Sequence, residues 1–145
     1  MAQTIVPFIA YEDAAGAIDW LTRAFGFREQ VAARVTGDDG TVGHAELDVG
    51  DGSVVFLSTP SPDYESPKRH RAHCDAAAKW SDNTWVVDGC MVQVDDVDAH
   101  HARAAAAGAT VLRAPENVVD AGIRLWSGED VEGHRWMFTQ PLARS

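Results

Sequence analysis

Cysteine is scarce in this chain: Cys74 and Cys90 are the only two in 145 residues. A chain of this length buries roughly 68–70% of its unfolded surface, so it needs neither a disulfide nor a structural metal to fold. There is also no apolar run of about 18 residues and no secretory apolar segment, which excludes a membrane-spanning helix and makes a reducing cytoplasm the expected compartment. Positive charge is thin. Twelve Lys and Arg face 22 Asp and Glu, giving a net charge of −10 and a pI near 4.8. That balance argues against a nucleic-acid backbone or an anionic membrane as partner. It suits a cationic ligand, and it suits solubility alone. The chain carries no Gly-rich phosphate loop and no nucleophile elbow.

Hydrophobic residues make up 46% and charged residues 23%, the balance of a globular domain. "TIVPFIAY" (4–11) is β-branched and aromatic and reads as a buried strand. In "EDAAGAIDWLTRAFGF", Asp13 can cap a helix whose Ile18, Leu21 and Phe25 share a face, and Gly26 stops it. "REQVAARV" (28–35) reads as a strand, and "VGHAELDV" (42–49) and "SVVFLST" (53–59) flank the hairpin signal "GDG". Residues 60–88 interrupt the rhythm with a Pro/Ser loop and a short basic segment able to form a helix. A connection this long is typical of a linker, a lid or a binding loop. The first pattern then repeats. "GCMVQVDD" is a strand, "VDAHHARAAAAGA" a helix and "TVLRAPEN" a strand, while "GIRLWSG" and "HRWMFTQ" form a hairpin across "EDVEG". The expected architecture is α+β. Two tandem βαβββ modules, 1–59 and 89–141, are joined by the 60–88 segment, and curved mixed sheets form a shared cleft.

"YEDAAGAIDWLTRAFGF" in the first repeat, with "VQVDDVDAHHARAAAAGATV" and "GEDVEGHRWMF" in the second, resembles the vicinal oxygen chelate superfamily of glyoxalase I, bleomycin-resistance proteins and extradiol dioxygenases. The resemblance spans nearly the whole chain. It implies a homodimer whose subunits complete or cover the cleft. In metal-dependent members such as glyoxalase I, His or Glu stands on the first and last strands of each module. Carried over one at a time, those positions fall at Val6, Phe56, Gly89 and Met137, with Cys90 next to Gly89 if the register slips by one. Hydrocarbon and thioether side chains do not ligate a hard or borderline divalent ion, so no metal and no cofactor is expected in the cleft.

Strand alternation then gives the lining of the cleft. Phe8, Ala10, Val54, Phe56, Ser58, Met91, Gln93, Arg135, Met137 and Thr139 share the parity of those positions, and Arg124 and Trp126 are expected to face inward as well. Of these, Phe8, Phe56, Met91, Gln93, Arg124, Trp126 and Met137 are the candidate ligand-binding residues. The alternating His44, Glu46 and Asp48 read either as an acid/base row in the cleft or as the solvent side of an edge strand. With Arg124, His44 and Glu46 are the candidate catalytic groups; Arg124 otherwise pairs with an acidic side chain. His70, His73 and Cys74 would share a helix face at zinc-ligand spacing, but Lys68, Arg69 and Arg71 oppose a cation there. His100 and His101 read as solvated, and His134 as the structural first residue of the last strand.

Two functions follow. One is a metal-free protein that binds an aromatic or cationic drug-like small molecule, in the manner of bleomycin resistance. The other is a lyase, isomerase or dioxygenase-type enzyme with relocated metal ligands or a metal-free His/Glu site.

Overall fold

The computed structural model describes residues 3–85 and 88–143. Positions 1–2, at the start of the expected first module, and 86–87, in the expected linker, lie outside the described residues. The elements run β1 (Phe8–Ala10), α1 (Ala14–Phe25), β2 (Arg28–Glu29), β3 (Val35–Thr36), β4 (Val42–Gly50), β5 (Ser53–Ser58), α2 (Pro67–His73), α3 (Asp75–Ser81), β6 (Gly89–Gln93), α4 (Val97–Ala106), β7 (Thr110–Val118), β8 (Ile123–Glu129) and β9 (Arg135–Pro141).

The first half folds into a sheet of order β1-β5-β4-β2, with β3 also on β4. The second half forms a sheet of order β6-β9-β8-β7. In both, the first strand lies parallel to the last and the other pairs are antiparallel, which makes the sheets mixed.

Helix α1 begins where the Asp13 carboxylate accepts from the Gly16 amide and ends at Gly26, whose φ of 75° is open to glycine without strain. Its buried face carries Ala14, Ala17, Ile18, Leu21, Ala24 and Phe25 at helical spacing. Burial of each large side chain there stabilises the fold by roughly 1.5–3 kcal/mol. Phe25 holds the core together across the repeat, with its ring edge-on to Phe138 at 4.8 Å and to Trp136 at 5.8 Å. One hydrophobic core, reached from the helix-facing sides of both sheets, therefore serves the whole chain.

The strand expected over 28–35 is shorter than the sequence suggests. Arg34 doubles back to form a two-pronged ion pair with Glu29, at 2.6 and 2.9 Å, and a single 3-10 turn at Val31–Ala33 splits the strand into β2 and β3. The basic part of the 60–88 segment does become helical, as α2 and α3.

The "EDVEG" turn joins the two halves. The buried Asp130 carboxylate accepts from the Tyr11 hydroxyl at 2.6 Å, from Trp136 Nε1 at 3.0 Å and from the amides of Glu132 and His134. Burial, with Asp130 alongside, pushes the Tyr11 phenol well above its ordinary value. The Glu132 carboxylate reaches the other half and accepts from the amides of Glu12 and Asp13 at the start of α1, while its own burial raises its pKa. His134 stands one residue before β9. Its Nε2 donates to the Ala10 carbonyl at 2.7 Å, which agrees with the structural role expected from the sequence.

Candidate ligand-binding cleft

Strand register sorts the expected lining residues onto two faces. In the first sheet, Phe8, Phe56 and Glu46 stand abreast, with Val54 and Asp48 in the next like-facing row; Ile9, Leu57 and Ala45 point the other way, into the core. In the second sheet, Met91, Met137 and Ser127 are abreast, flanked by Gln93–Thr139–Leu125 and Gly89–Arg135–Glu129. Val92, Phe138 and Trp126 form the opposite row, which is buried in the core.

Two expected orientations are therefore corrected. Trp126 is fully buried on the helix side, stacked with Phe138 at 5.0 Å, and its Nε1 donates to His100 Nδ1 at 3.1 Å. Arg124 lies on that same side and makes a two-pronged bond to Asp98 of α4, at 2.8 Å on both arms, with Asn117 accepting from its third nitrogen. The acidic-partner reading of Arg124 describes its geometry. Both faces of β8 are buried, so no polar alternation existed to set the parity.

His100 is corrected too. It sits between Trp126 and the Phe25 carbonyl, to which its Nε2 donates at 3.0 Å, rather than in solvent. Desolvation lowers its pKa below the ordinary histidine value and favours the neutral ring. His101 also packs its ring edge-on to Trp126, at 5.4 Å.

On the open face of the first sheet, His44 Nε2 lies 3.0 Å from Glu46 Oε1, and the His44 ring meets Phe56 edge-on at 4.8 Å. Strand β4 is interior, paired with β5 on one side and with β2 and β3 on the other, so the edge-strand premise for this row fails. Asp48 is drawn away from the row toward the Gly50 amide and Arg28. Phe8 is 60% exposed and borders a groove between β1 and β6 that is also lined by Ala10, Cys90 and His134.

Met91 and Met137 line a different cavity of about 340 Å³ on the open face of the second sheet. Trp85, Thr84, Leu112, Ser127 and Arg135 also line it, with Cys90 and Trp136 behind and Asp88 and Gly89 at the edge. Gln93 shares the face but lies one row away and exposed. The structure thus distributes the expected lining over two sheet faces. Met91 and Met137 come together; Phe56 belongs with His44 and Glu46.

A lid is one of the readings of 60–88, but sequence reasoning missed the contacts that tie this segment to the second sheet as the cover of the cavity. Arg71 on α2 forms a two-pronged pair, at 2.7 and 2.8 Å, with Glu129, which is itself buried and also bonded to Arg135. Arg135 in turn donates to the carbonyls of Ser81 and Asn83, tying the end of α3 to β9. Trp85 follows directly. The guanidinium of Arg113 lies 4.2 Å over its ring and holds it in place. The available signal was a pair of tryptophans, Trp80 and Trp85, in a connection that otherwise reads as a Pro/Ser loop and a basic helix.

The family's metal does not fit this donor set. Phe56, Gly89 and Met137 share the open-face parity, and Val6 lies two residues before Phe8; none of the four offers a ligand. Among the described residues, the one group of three His, Cys, Asp or Glu side chains that converge is Glu65, His70 and His73 on the cover. Cys74 is outside it, contrary to the spacing argument.

Comparison with known proteins agrees with this architecture. An uncharacterized protein of Mycobacterium bovis, Mb0911c, is 34% identical over 140 residues, covering 94% of this chain and 82% of its own. The uncharacterized protein Rv0887c of Mycobacterium tuberculosis is also 34% identical, over 94% of this chain and 73% of its own. Among solved structures, TioX from Micromonospora sp. ML1 superposes with a TM-score of 0.65 at 31% identity, covering 99% of this chain and all of that one. TnmS3, an antibiotic binding protein from Streptomyces sp. CB03234, superposes at 0.60 with 21% identity, covering 97% and 98%. The Glyoxalase/Bleomycin resistance protein/Dioxygenase superfamily pattern matches residues 4–138, and the chain belongs to that superfamily.

Proposed function

We propose that the protein binds a small aromatic molecule in the cavity beneath Trp85, with no metal ion taking part. The observation that carries this reading is the lining itself: Trp85, Leu112, Met91 and Met137 surround a space of about 340 Å³. The one arginine there, Arg135, is committed to Glu129 and two carbonyls. Apolar and aromatic walls with few polar groups suit a flat ligand, and burial pushes the pKa of the one thiol among them, Cys90, upward, which disfavours the reactive thiolate. Asp88, exposed at the rim, and the net charge of −10 favour a ligand carrying positive charge. The fold is compatible with such a role, since TnmS3 is an antibiotic binding protein.

Titrating tryptophan fluorescence with planar aromatic and cationic glycopeptide compounds tests the proposal. Saturable quenching that Trp85→Phe clearly reduces supports it, Trp136 being a second indole on the cavity wall. Absence of quenching across the panel counts against it.

The His44–Glu46 pair beside Phe56 supports a second reading, metal-free acid–base catalysis on the first sheet. Full turnover by His44→Ala on an identified substrate would remove His44 from that role. A homodimer belongs to either reading, because Phe8 at 60% and Met91 at 62% exposure leave apolar surface for a second copy to cover. Sedimentation as a single 15.7 kDa species would refute the dimer. With Cys74 and Cys90 both free, the reducing cytoplasm is the proposed compartment.

A further inference from the structure

The cover over the cavity carries chemistry that ligand binding does not use. Glu65 lies immediately before α2, and the Ser66 side chain, accepting from the Arg69 amide, fixes where that helix begins. Pro67 in the first turn suits the same start, since its missing N–H costs nothing there. His70 and His73, three residues apart, present their rings to one side of the helix, with centroids 5.5 Å apart. The Glu65 carboxylate reaches both. Each of its oxygens lies 2.9 Å from His73 Nε2, and Oε2 lies 3.3 Å from His70 Nδ1. One ligand atom from each of the three residues falls within 4.8 Å of the others.

From this convergence we propose that Glu65, His70 and His73 form a binding site for a zinc-type divalent transition ion, on the outer surface of the cover and away from the cavity.

The donor set is right for such an ion. Two imidazoles and one carboxylate make a three-ligand zinc set that leaves a fourth position to water. Zinc held at about 2.1 Å by nitrogen and oxygen places neighbouring ligand atoms about 3.4 Å apart in a tetrahedron. From the single oxygen Oε2, the separations to His73 and His70 are 2.9 and 3.3 Å, already near that, and the three ligand atoms all lie within 4.8 Å of one another.

Two of the three nearby cations are occupied elsewhere. Arg71 is paired with Glu129 on the other side of the helix, and Arg69 donates to Glu12 at 2.6 Å while standing 4.0 Å from Glu65. Local carboxylates therefore offset the repulsion expected from the two arginines of "KRHR", within a chain of net charge −10. All three donors are open to solvent, so an ion can enter without unfolding the helix.

Isothermal titration of the full-length, tag-free protein with Zn²⁺ tests the site. The expected result is saturable binding of one ion per chain. His70→Ala, His73→Ala and Glu65→Gln should each weaken it at least tenfold, with circular dichroism unchanged. Cys74→Ser should bind as the wild type does, which distinguishes this ligand set from the one that helical spacing alone suggests. Absence of saturable binding would overturn the proposal. So would wild-type affinity in His73→Ala, or loss of binding in Cys74→Ser. Because the site lies outside the cavity, its failure leaves the ligand-binding reading untouched, and the reverse holds equally.

Discussion

Trp126 donates its indole N–H to Nδ1 of His100 at 3.1 Å, and the other nitrogen of that ring donates to the Phe25 carbonyl at 3.0 Å. One neutral imidazole thus links β8, α4 and the end of α1. Replacing it in His100→Phe keeps the ring but leaves an N–H and a carbonyl without partners, at a cost of about 1–3 kcal/mol for each group that stays dry. The pH dependence has a definite sign. The folded pKa of His100 is depressed by burial, so below the unfolded value of about 6.5 the unfolded chain binds the proton first. This histidine's contribution is fully present above pH 6.5 and is lost as pH falls through the depressed folded value. Urea unfolding at a series of pH values should show a shallower acid limb for His100→Phe than for the wild type; equal slopes would contradict the assignment.

Gly133 has a φ of 88°, and a Cβ built there would lie 2.8 Å from the Lys68 amide nitrogen of α2. Both the backbone conformation and the close approach of the cover demand glycine. Gly133→Ala should cost more than the ~1 kcal/mol of an ordinary strained glycine site, because α2 must also move. Thermal unfolding measures the loss, and a change below that value would show that the cover yields easily.

Arg71→Met removes one of the two guanidinium partners of Glu129, a side chain only 3% exposed. Arg135 remains, so the expected loss is about 2 kcal/mol, the scale of a bond to a charged group, rather than that of a fully orphaned buried charge. The release should be local. Limited proteolysis is expected to cut within 67–85 sooner in this variant than in the wild type, with the two sheets intact. Unchanged cleavage would mean that Arg135 alone holds the cover.

Met137→Glu places a carboxylate where metal-dependent relatives carry one. Phe56 and Gly89 share its open-face parity and, like Val6, bring no ligand, so the variant should gain no stoichiometric metal in the cleft. The charge should instead weaken binding of an uncharged aromatic ligand at least tenfold, because an unpaired carboxylate is costly against apolar walls. Calorimetry and elemental analysis read the two effects separately.

These residues also show how far the sequence could be read. The duplication and the helix caps at Asp13 and Gly26 followed from periodicity and turn chemistry, and the structure agrees, whereas the common face of Met91 and Met137 rested on positions carried over from the superfamily resemblance. The parity of β8 was not legible, because Leu125 and Trp126 are both buried and only the position of His100 and Phe25 decides which face holds the indole. The role of Trp85 was hidden for another reason. It is placed by Arg113 and by the carbonyls that bind Arg135, contacts that no local pattern encodes.

Metal-free binding in the cavity is tested by a fluorescence titration of chelator-treated protein with a panel of planar aromatic and cationic glycopeptide compounds, run in parallel on Trp85→Phe. Saturable one-to-one quenching is expected for at least one compound, unchanged when Zn²⁺ is restored and clearly reduced in the variant, where Trp136 is the remaining indole on the wall. Quenching that requires added metal, or that persists in full without Trp85, would contradict metal-free binding there.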